Sequence, residues 1–191
     1  MFRTKRQLVE FITNPYYGRM LFLDAVLQST TSDEAIYHKA LVDAGMRKES
    51  SRILIVGGAE GGVAREVLKW PVKYVQMVDW DSHLVNHCKN VEKFNTEAFN
   101  DPRFFYSDQD INEFCMRHDT FDTVFIDLLD VDTERDYEYM REILRILPNV
   151  CGKGVRIIMN VGRSRSMASR FGDVIEVDVP SFQEPWYFAS S

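Results

Sequence analysis

The sequence predicts an α/β protein: a sheet of parallel strands wound by helices, finished by a C-terminal antiparallel hairpin and preceded by a small N-terminal β region. Three observations carry this. From residue 52 onward, short apolar runs of buried-strand type alternate with helical stretches, the rhythm of a parallel sheet built by right-handed crossovers. A glycine-rich turn joins the first of these runs to its helix. The last two apolar segments are separated by a Pro-bounded turn instead of a helix, which predicts a hairpin at the sheet edge.

Each element has its own local reason. Residues 8–12, 19–23 and 25–28 alternate apolar and polar residues around a turn at Asn14-Pro15-Tyr16-Tyr17-Gly18, which reads as short antiparallel strands. Ser32-Asp33-Glu34 opens a helix through Ala44, with Gly45 as its stop. Ile53–Val56 is a buried strand followed by a helix over 62–70, and Val75–Val78 is a second strand followed by a helix over 82–94. Residues 103–106 form a third strand and 112–117 a short helix. Thr123–Ile126 is a fourth strand, 136–147 a helix and 155–161 a fifth strand. Val174–Val179 and Trp186–Ala189 form the closing hairpin. The organisation is therefore a small β region over 1–32 and an α/β unit over 33–191, with no internal repeat.

Composition narrows the function classes. The chain has 191 residues, 45% apolar, which suits one ordinary domain, and no apolar run approaches the roughly 18 residues that cross a bilayer. Its basic start is followed by charged, alternating sequence, so no secretory signal is expected. Against 23 Lys and Arg stand 29 acids, a net charge of -6 that argues against phosphate neutralisation on nucleic acid. Cys88, Cys115 and Cys151 are scattered without a CxxC pair, which predicts free thiols in a reducing compartment. His83 and His87 share a helix face but lack a third ligand, so no metal site is expected. Trp70, Trp80 and Trp186 read as packed side chains.

In such a sheet ligands bind at the carboxyl ends of the strands, near the switch point. Gly57-Gly58-Ala59-Glu60-Gly61-Gly62 lies there. Its glycines allow close backbone approach, while Glu60 would repel a pyrophosphate, so the loop suits a cationic or neutral ligand. Asp79 closes the second strand about twenty positions beyond Gly57, the offset at which an acid holds both hydroxyls of a ribose. Asp108 and Asp110 follow the third strand; one could accept from an adenine amino group, the other being a helix cap or a solvated side chain. Asp127 and Asp130 close the fourth strand, where they can face one pocket. Acids crowding a cleft attract ammonium groups and repel carboxylates. S-adenosylmethionine carries a carboxylate and its decarboxylated form does not, which points away from methyl transfer.

These residues resemble those of the polyamine aminopropyltransferases, the spermidine synthase-like family, over nearly the whole chain. Gln7 with Tyr17-Gly18-Arg19-Met20-Leu21-Phe22-Leu23-Asp24 is similar to that family's Q…(Y/F)G-x-x-L-x-LDG strands. Gln28 with Asp33-Glu34-Ala35-Ile36-Tyr37-His38 resembles its Q…DE-x-x-YHE segment, and residues 57–62 its GGGDGG loop with Glu for Asp. Asp127-Leu128-Leu129-Asp130 stands where the family has DSSDP. Val179-Pro180-Ser181-Phe182 with Trp186-Tyr187-Phe188-Ala189 resembles its terminal hairpin.

The resemblance implies a Rossmann-like, nucleoside-binding sheet of the class I methyltransferase type. It implies transfer of the aminopropyl group of decarboxylated S-adenosylmethionine to an amine such as putrescine, with 5'-methylthioadenosine as product. Gln7, Leu23 and Gln28 would line the methylthioadenosine part of the donor beside Gly57 and Gly58. Asp79 would bind the ribose, Asp110 the adenine amino group, and Glu60 the propylamine. Asp110 is preferred to Asp108 because Phe114 follows it at the family's D-x-x-x-F spacing. Tyr37, Asp127 and Asp130 would hold the acceptor, with Asp127 as base. No prosthetic group or metal is implied; a cytoplasmic enzyme, dimeric through its N-terminal strands, is. The chain departs from the family pattern in Asp79 for Glu, Leu128-Leu129 for a polar pair, Val131 for Pro, Asn160 for Gln and Lys39 for Glu. It reads as a shortened member with thinned acceptor-side walls. Two other readings stay open: a methyltransferase using S-adenosylmethionine, and a nucleoside-binding relative without turnover.

Overall fold

The computed structural model describes residues 1–116 and 119–190. Its N-terminal strands, β1 (Phe2–Arg3), β2 (Leu8–Asn14), β3 (Gly18–Leu23) and β4 (Val26–Thr30), pair antiparallel in chain order. The β3–β4 turn is made by Asp24 and Ala25, both with positive φ (47° and 66°), the backbone of a tight two-residue hairpin. Helix α1 (Glu34–Gly45) follows. Gly45 ends that helix, as its position suggested, but for a packing reason: a Cβ there would lie 2.5 Å from the Phe125 ring.

Then come β5 (Arg52–Gly57), α2 (Gly62–Leu68), β6 (Tyr74–Val78), α3 (Ser82–His87), α4 (Thr96–Phe99) and β7 (Phe104–Ser107). The chain continues through α5 (Ile111–Phe114), β8 (Phe121–Asp127), α6 (Glu134–Ile146), β9 (Cys151–Gly162), α7 (Arg165–Ala168), β10 (Asp173–Val177) and β11 (Trp186–Ser190). Strands β5 to β11 form one sheet in the order β10-β11-β9-β8-β5-β6-β7. The pairs β7–β6, β6–β5, β5–β8 and β8–β9 are parallel; β11 runs antiparallel between β9 and β10. The final strand therefore lies inside the hairpin's partner rather than at the edge. Its sequence explains this: β11 carries buried Trp186, Phe188 and Ala189, while β10 exposes Asp173 and Glu176, charges that protect a free edge.

Strand periodicity divides the core into two layers. Ile53 and Ile55 face α1 and α2 with Leu41, Val42, Phe125, Ile158 and Phe188. Leu54 and Val56 face α6 with Val124, Ile126, Met140, Ile143 and Met159. A smaller cluster of Val9, Leu21, Leu84 and Cys88 fastens the N-terminal sheet to α3. The three cysteines are free thiols. No helix of the described residues is long and apolar enough to cross a membrane.

Several boundaries differ from the sequence reading. The helix expected over 82–94 is α3 followed by a wider π-helical turn over Cys88–Glu92, which stops at Lys93 with φ 58°. That turn sets Glu92 against Arg19 at 2.7 Å and His87 at 3.4 Å, so tertiary ion pairs accompany the change of pitch. Helix α6 starts earlier, because Thr133 and Asp136 form a reciprocal capping box. β1, α4 and α7 are too short for any periodicity and escaped detection. The expected end of the short helix at Arg117 lies outside the described residues. Trp80 is 41% exposed, not packed, with the Arg6 guanidinium 4.2 Å from its ring centre.

Candidate active site

β5 lies between β6 and β8, so the chain switches direction across the sheet there and the carboxyl ends of the three strands open onto one cleft. The glycine-rich loop leaves β5 at Gly57, with φ 83° and no room for a side chain: a Cβ would lie 2.2 Å from the Asp127 carbonyl. The Gly58 N–H donates to that same carbonyl at 3.0 Å. The ends of β5 and β8 are thereby locked together, and Asp127 is held over the loop. At the loop's far end a Cβ on Gly62 would lie 2.3 Å from the His38 ring, so α2 can begin only by packing glycine on that imidazole.

His38 is the centre of a buried charge network. Its Nδ1 is 2.5 Å from Glu34 and its Nε2 is 3.1 Å from Glu60. Burial alone would lower the His38 pKa, but the two carboxylates outweigh it and raise it to about 10. Glu34, which also accepts from Arg65 at 2.6 Å, is held at about 2 against its own burial by the His38 and Arg65 bonds. Carboxylate oxygens of Glu34 and Glu60 and a ring nitrogen of His38 come close enough for a metal ion, with ligand atoms within 4.8 Å of one another. A doubly hydrogen-bonded imidazolium has no lone pair to offer, so an internal ion-pair network is the better description at neutral pH. Glu60 also accepts from the Ser29 hydroxyl at 2.6 Å.

The other acids sit around the same cleft. Tyr37 donates its hydroxyl to Asp127 at 2.6 Å, and its ring meets Trp186 and Phe188 edge-on at 5.2 Å each. Burial raises the Asp127 carboxyl above the ordinary range, His38 and the Tyr37 bond oppose this, and Glu60 adds to it. Asp130 accepts from Asn160 at 3.4 Å and stands 3.8 Å from Arg163. Burial raises its pKa too, with Asn160 and Arg163 pulling against the shift. Asp79 accepts the Asp81 backbone N–H at 2.8 Å; burial, reinforced by neighbouring acids, raises its pKa to about 6.

These groups line a cavity of about 300 Å³, closed on the N-terminal side by Gln7, Leu21, Leu23 and Gln28. Gln7 donates its amide to Asp81 at 3.0 Å, and Asp81 in turn caps α3. Gln28 turns its amide to the Val26 carbonyl at 3.2 Å. Gly57, Gly58, Tyr37, Glu60, Asp79, Asp127 and Asp130 share the cavity. Asp110 does not: it caps α5, accepting from Asn112, and borders a smaller cavity of about 20 Å³ that also touches Asp79, Trp80 and Tyr139. Sequence reasoning gave no role to His38, Glu34, Ser29 or Trp80. The i,i+4 spacing of Glu34 and His38 on a predicted helix was the available signal for the first two.

The Spermine/spermidine synthase domain model matches residues 34–168. Polyamine aminopropyltransferase 2 of Pseudomonas aeruginosa is 32% identical over 97% of this chain and 59% of its own length. The polyamine aminopropyltransferase of Korarchaeum cryptofilum is 28% identical over 96% of this chain and 62% of its own. The chain thus spans about 60% of the length of these relatives. In three dimensions it resembles the crystal structure of spermidine synthase from Thermotoga maritima, with a TM-score of 0.82 at 20% identity, over 99% of this chain and 71% of that one. That likeness establishes a Rossmann-like, methyltransferase-type fold.

Proposed function

The chain belongs to the spermine/spermidine synthase family, and from that premise we propose that it is an aminopropyltransferase, moving the aminopropyl group of decarboxylated S-adenosylmethionine to an amine. The observation that carries the reading is the convergence of Glu60, Asp127 and Asp130 on one cavity with Tyr37 bonded to Asp127 at 2.6 Å. A donor with both a sulfonium and an ammonium, and no carboxylate, fits that ring of acids; a carboxylated donor meets repulsion.

In this reading the donor's nucleoside lies against Gln7, Leu23, Gln28, Gly57 and Gly58. Asp79 accepts from the ribose hydroxyls, Asp110 reaches the adenine edge from the adjoining cavity, and Glu60 holds the propylamine. The acceptor amine lies between Tyr37, Asp127 and Asp130. It must be neutral at the attacking nitrogen, because an ammonium has no lone pair. The nitrogen forms a bond to the propyl carbon beside sulfur as the carbon–sulfur bond breaks. The electron pair of that bond stays on sulfur, giving neutral 5'-methylthioadenosine. The proton shed by nitrogen passes to Asp127, whose carboxyl burial has made a stronger base than usual. Alignment for in-line displacement contributes more than proton transfer, since the sulfonium is already a good leaving group. The step needs no prosthetic group or metal.

The proposal extends to organisation. Residues 1–32 act as a separate β region and 33–191 as the catalytic unit, a division that the two sheets support. Exposed Ile12 and Val26 on the small sheet support homodimer formation there. The partners are small molecules and not nucleic acid or membrane, in keeping with the net charge of -6. Free thiols are in keeping with a cytoplasmic location.

Isothermal titration with decarboxylated S-adenosylmethionine and, in parallel, S-adenosylmethionine tests the reading. Tighter binding of the decarboxylated compound by about tenfold or more is expected. Turnover with putrescine and related amines should then fall about 10²–10⁴-fold in Asp127→Asn. Equal or better binding of the carboxylated compound points instead to methyl transfer; binding of neither points to a scaffold without turnover.

A further inference from the structure

The start of α1 is tied to a segment 148 positions further along the chain. Asp33 stands where a side chain ordinarily accepts an N–H of the helix it precedes, yet its carboxylate makes no bond to that turn. It reaches instead to residues 178–185, the connection between β10 and β11. One oxygen accepts the Ser181 backbone N–H at 2.6 Å; the other accepts the Ser181 hydroxyl at 3.0 Å and that of Thr30 at 2.7 Å. With these three bonds and 6% exposure, the carboxylate is satisfied inside the protein and has little left to offer an ammonium.

The tie suits the local backbone. Val179-Pro180-Ser181-Phe182 is a turn closed by the Phe182 N–H on the Val179 carbonyl at 3.0 Å, with Pro180 in its favoured second place. The Ser181 N–H takes no part in closing such a turn, and Asp33 supplies its acceptor. Next along, Phe182 lines the cavity with Val179 and Trp186. Its ring meets Trp186 edge-on at 5.1 Å, and Trp186 meets Tyr37 the same way at 5.2 Å. Asp33 and Tyr37, four positions apart at the start of α1, both line that cavity. The start of α1 therefore fixes the Asp127 carboxylate, through Tyr37, and an apolar wall of the same cavity, through Asp33.

We infer that Asp33 is a positioning residue for the acceptor: by holding Ser181 it sets the Phe182 ring as a wall along which the methylene chain of an aliphatic polyamine lies. The inference rests on the aminopropyl-transfer reading and deepens it by assigning what grips the acceptor between its nitrogens. The acids of the cleft recognise ammonium groups but do nothing for the carbons between them. An apolar wall does, by removing those carbons from water. Residues 178–185 carry no regular secondary structure, and without the tie Phe182 is free to leave the ring it abuts. The donor lies against the N-terminal strands and the glycine-rich loop, so the loss falls on the acceptor alone.

Putrescine, cadaverine and spermidine are assayed with decarboxylated S-adenosylmethionine in the wild type, Asp33→Ala, Ser181→Ala, Phe182→Ala and the Asp33→Ala/Phe182→Ala double variant. Affinity for 5'-methylthioadenosine is read alongside by titration calorimetry. For the amine the wild type uses best, Asp33→Ala and Phe182→Ala should each raise acceptor KM about tenfold with kcat unchanged, the order expected from returning about two methylene groups to water. Ser181→Ala keeps the backbone bond and should raise it less. The double variant should be no worse than Phe182→Ala, because both changes remove the same contact. Affinity for 5'-methylthioadenosine should stay at the wild-type value throughout. KM effects that multiply in the double variant overturn the inference, as does an unchanged acceptor KM or an equal loss of 5'-methylthioadenosine affinity, and all three leave aminopropyl transfer standing. Absence of transfer to every amine by the wild type overturns the underlying reading and this inference with it. Thermal unfolding identifies any variant that fails to fold; if Asp33→Ala does, Ser181→Ala takes its place in the same cycle with Phe182→Ala.

Discussion

The Nε2 of His38 lies 3.1 Å from a carboxylate oxygen of Glu60, so a buried cation on α1 orients the acid of the glycine-rich loop. Its other nitrogen is engaged by Glu34, and removing the ring would strand two carboxylates in a poorly solvated place. His38→Ala is expected to cost about 3–5 kcal/mol of stability, measured by urea unfolding.

The same pair gives a pH dependence of defined sign. The His38 pKa rises from 6.5 in the unfolded chain to about 10 in the folded one. Its contribution is fully present below pH 6.5 and declines as pH climbs toward 10, above which it is lost. Unfolding free energy should therefore fall across that window, and His38→Gln should flatten the slope. A slope that persists in His38→Gln would assign the titration to another group.

Tyr37 acts on Asp127 through the bond at 2.6 Å. Tyr37→Phe removes a donor to the carboxylate and should move the Asp127 pKa further up, because burial then acts with one fewer opposing bond. The acid limb of the kcat profile is expected to shift to higher pH, with kcat reduced about tenfold or more. An unshifted limb would mean that the hydroxyl serves only to fill space.

Asp79 titrates near 6, raised by burial. A carboxylate accepts from both ribose hydroxyls, whereas its protonated form does so less well. Affinity for 5'-methylthioadenosine should rise with pH through about 6 and level off above it. In Asp79→Asn the affinity should be lower and flat across that range, as read by titration calorimetry.

The β3–β4 turn carries a cost that one substitution relieves. Ala25 holds φ at 66°, where a Cβ is disfavoured by roughly 1–2 kcal/mol. Ala25→Gly should stabilise the chain by about 1 kcal/mol, the gain in the turn exceeding the entropy glycine loses on folding. A lower midpoint in thermal unfolding would count against that strain.

Periodicity and punctuation were sufficient for the parallel sheet, because Ile53–Val56, Val75–Val78 and Thr123–Ile126 are apolar except at Gln76 and Thr123 and are flanked by turn residues. Residue type at strand ends was sufficient to nominate Glu60, Asp79, Asp127 and Asp130, since acids after buried strands fall at the carboxyl edge of such a sheet. Chain-local signals could not separate Asp110 from that group. Its spacing fits a ligand contact, but its position puts it in the adjoining cavity as the cap of α5.

What the sequence determined by itself was the order of elements and the acidic character of the cleft, both of which follow from residues near one another in the chain. Only the tertiary structure decided that β11 lies between β9 and β10, that His38 is a charged bridge between α1 and the loop, and that Arg163 faces Asp130. Each of these depends on side chains far apart in sequence. Their energies come from exchanging water for a particular partner, and that partner exists only once the chain has folded.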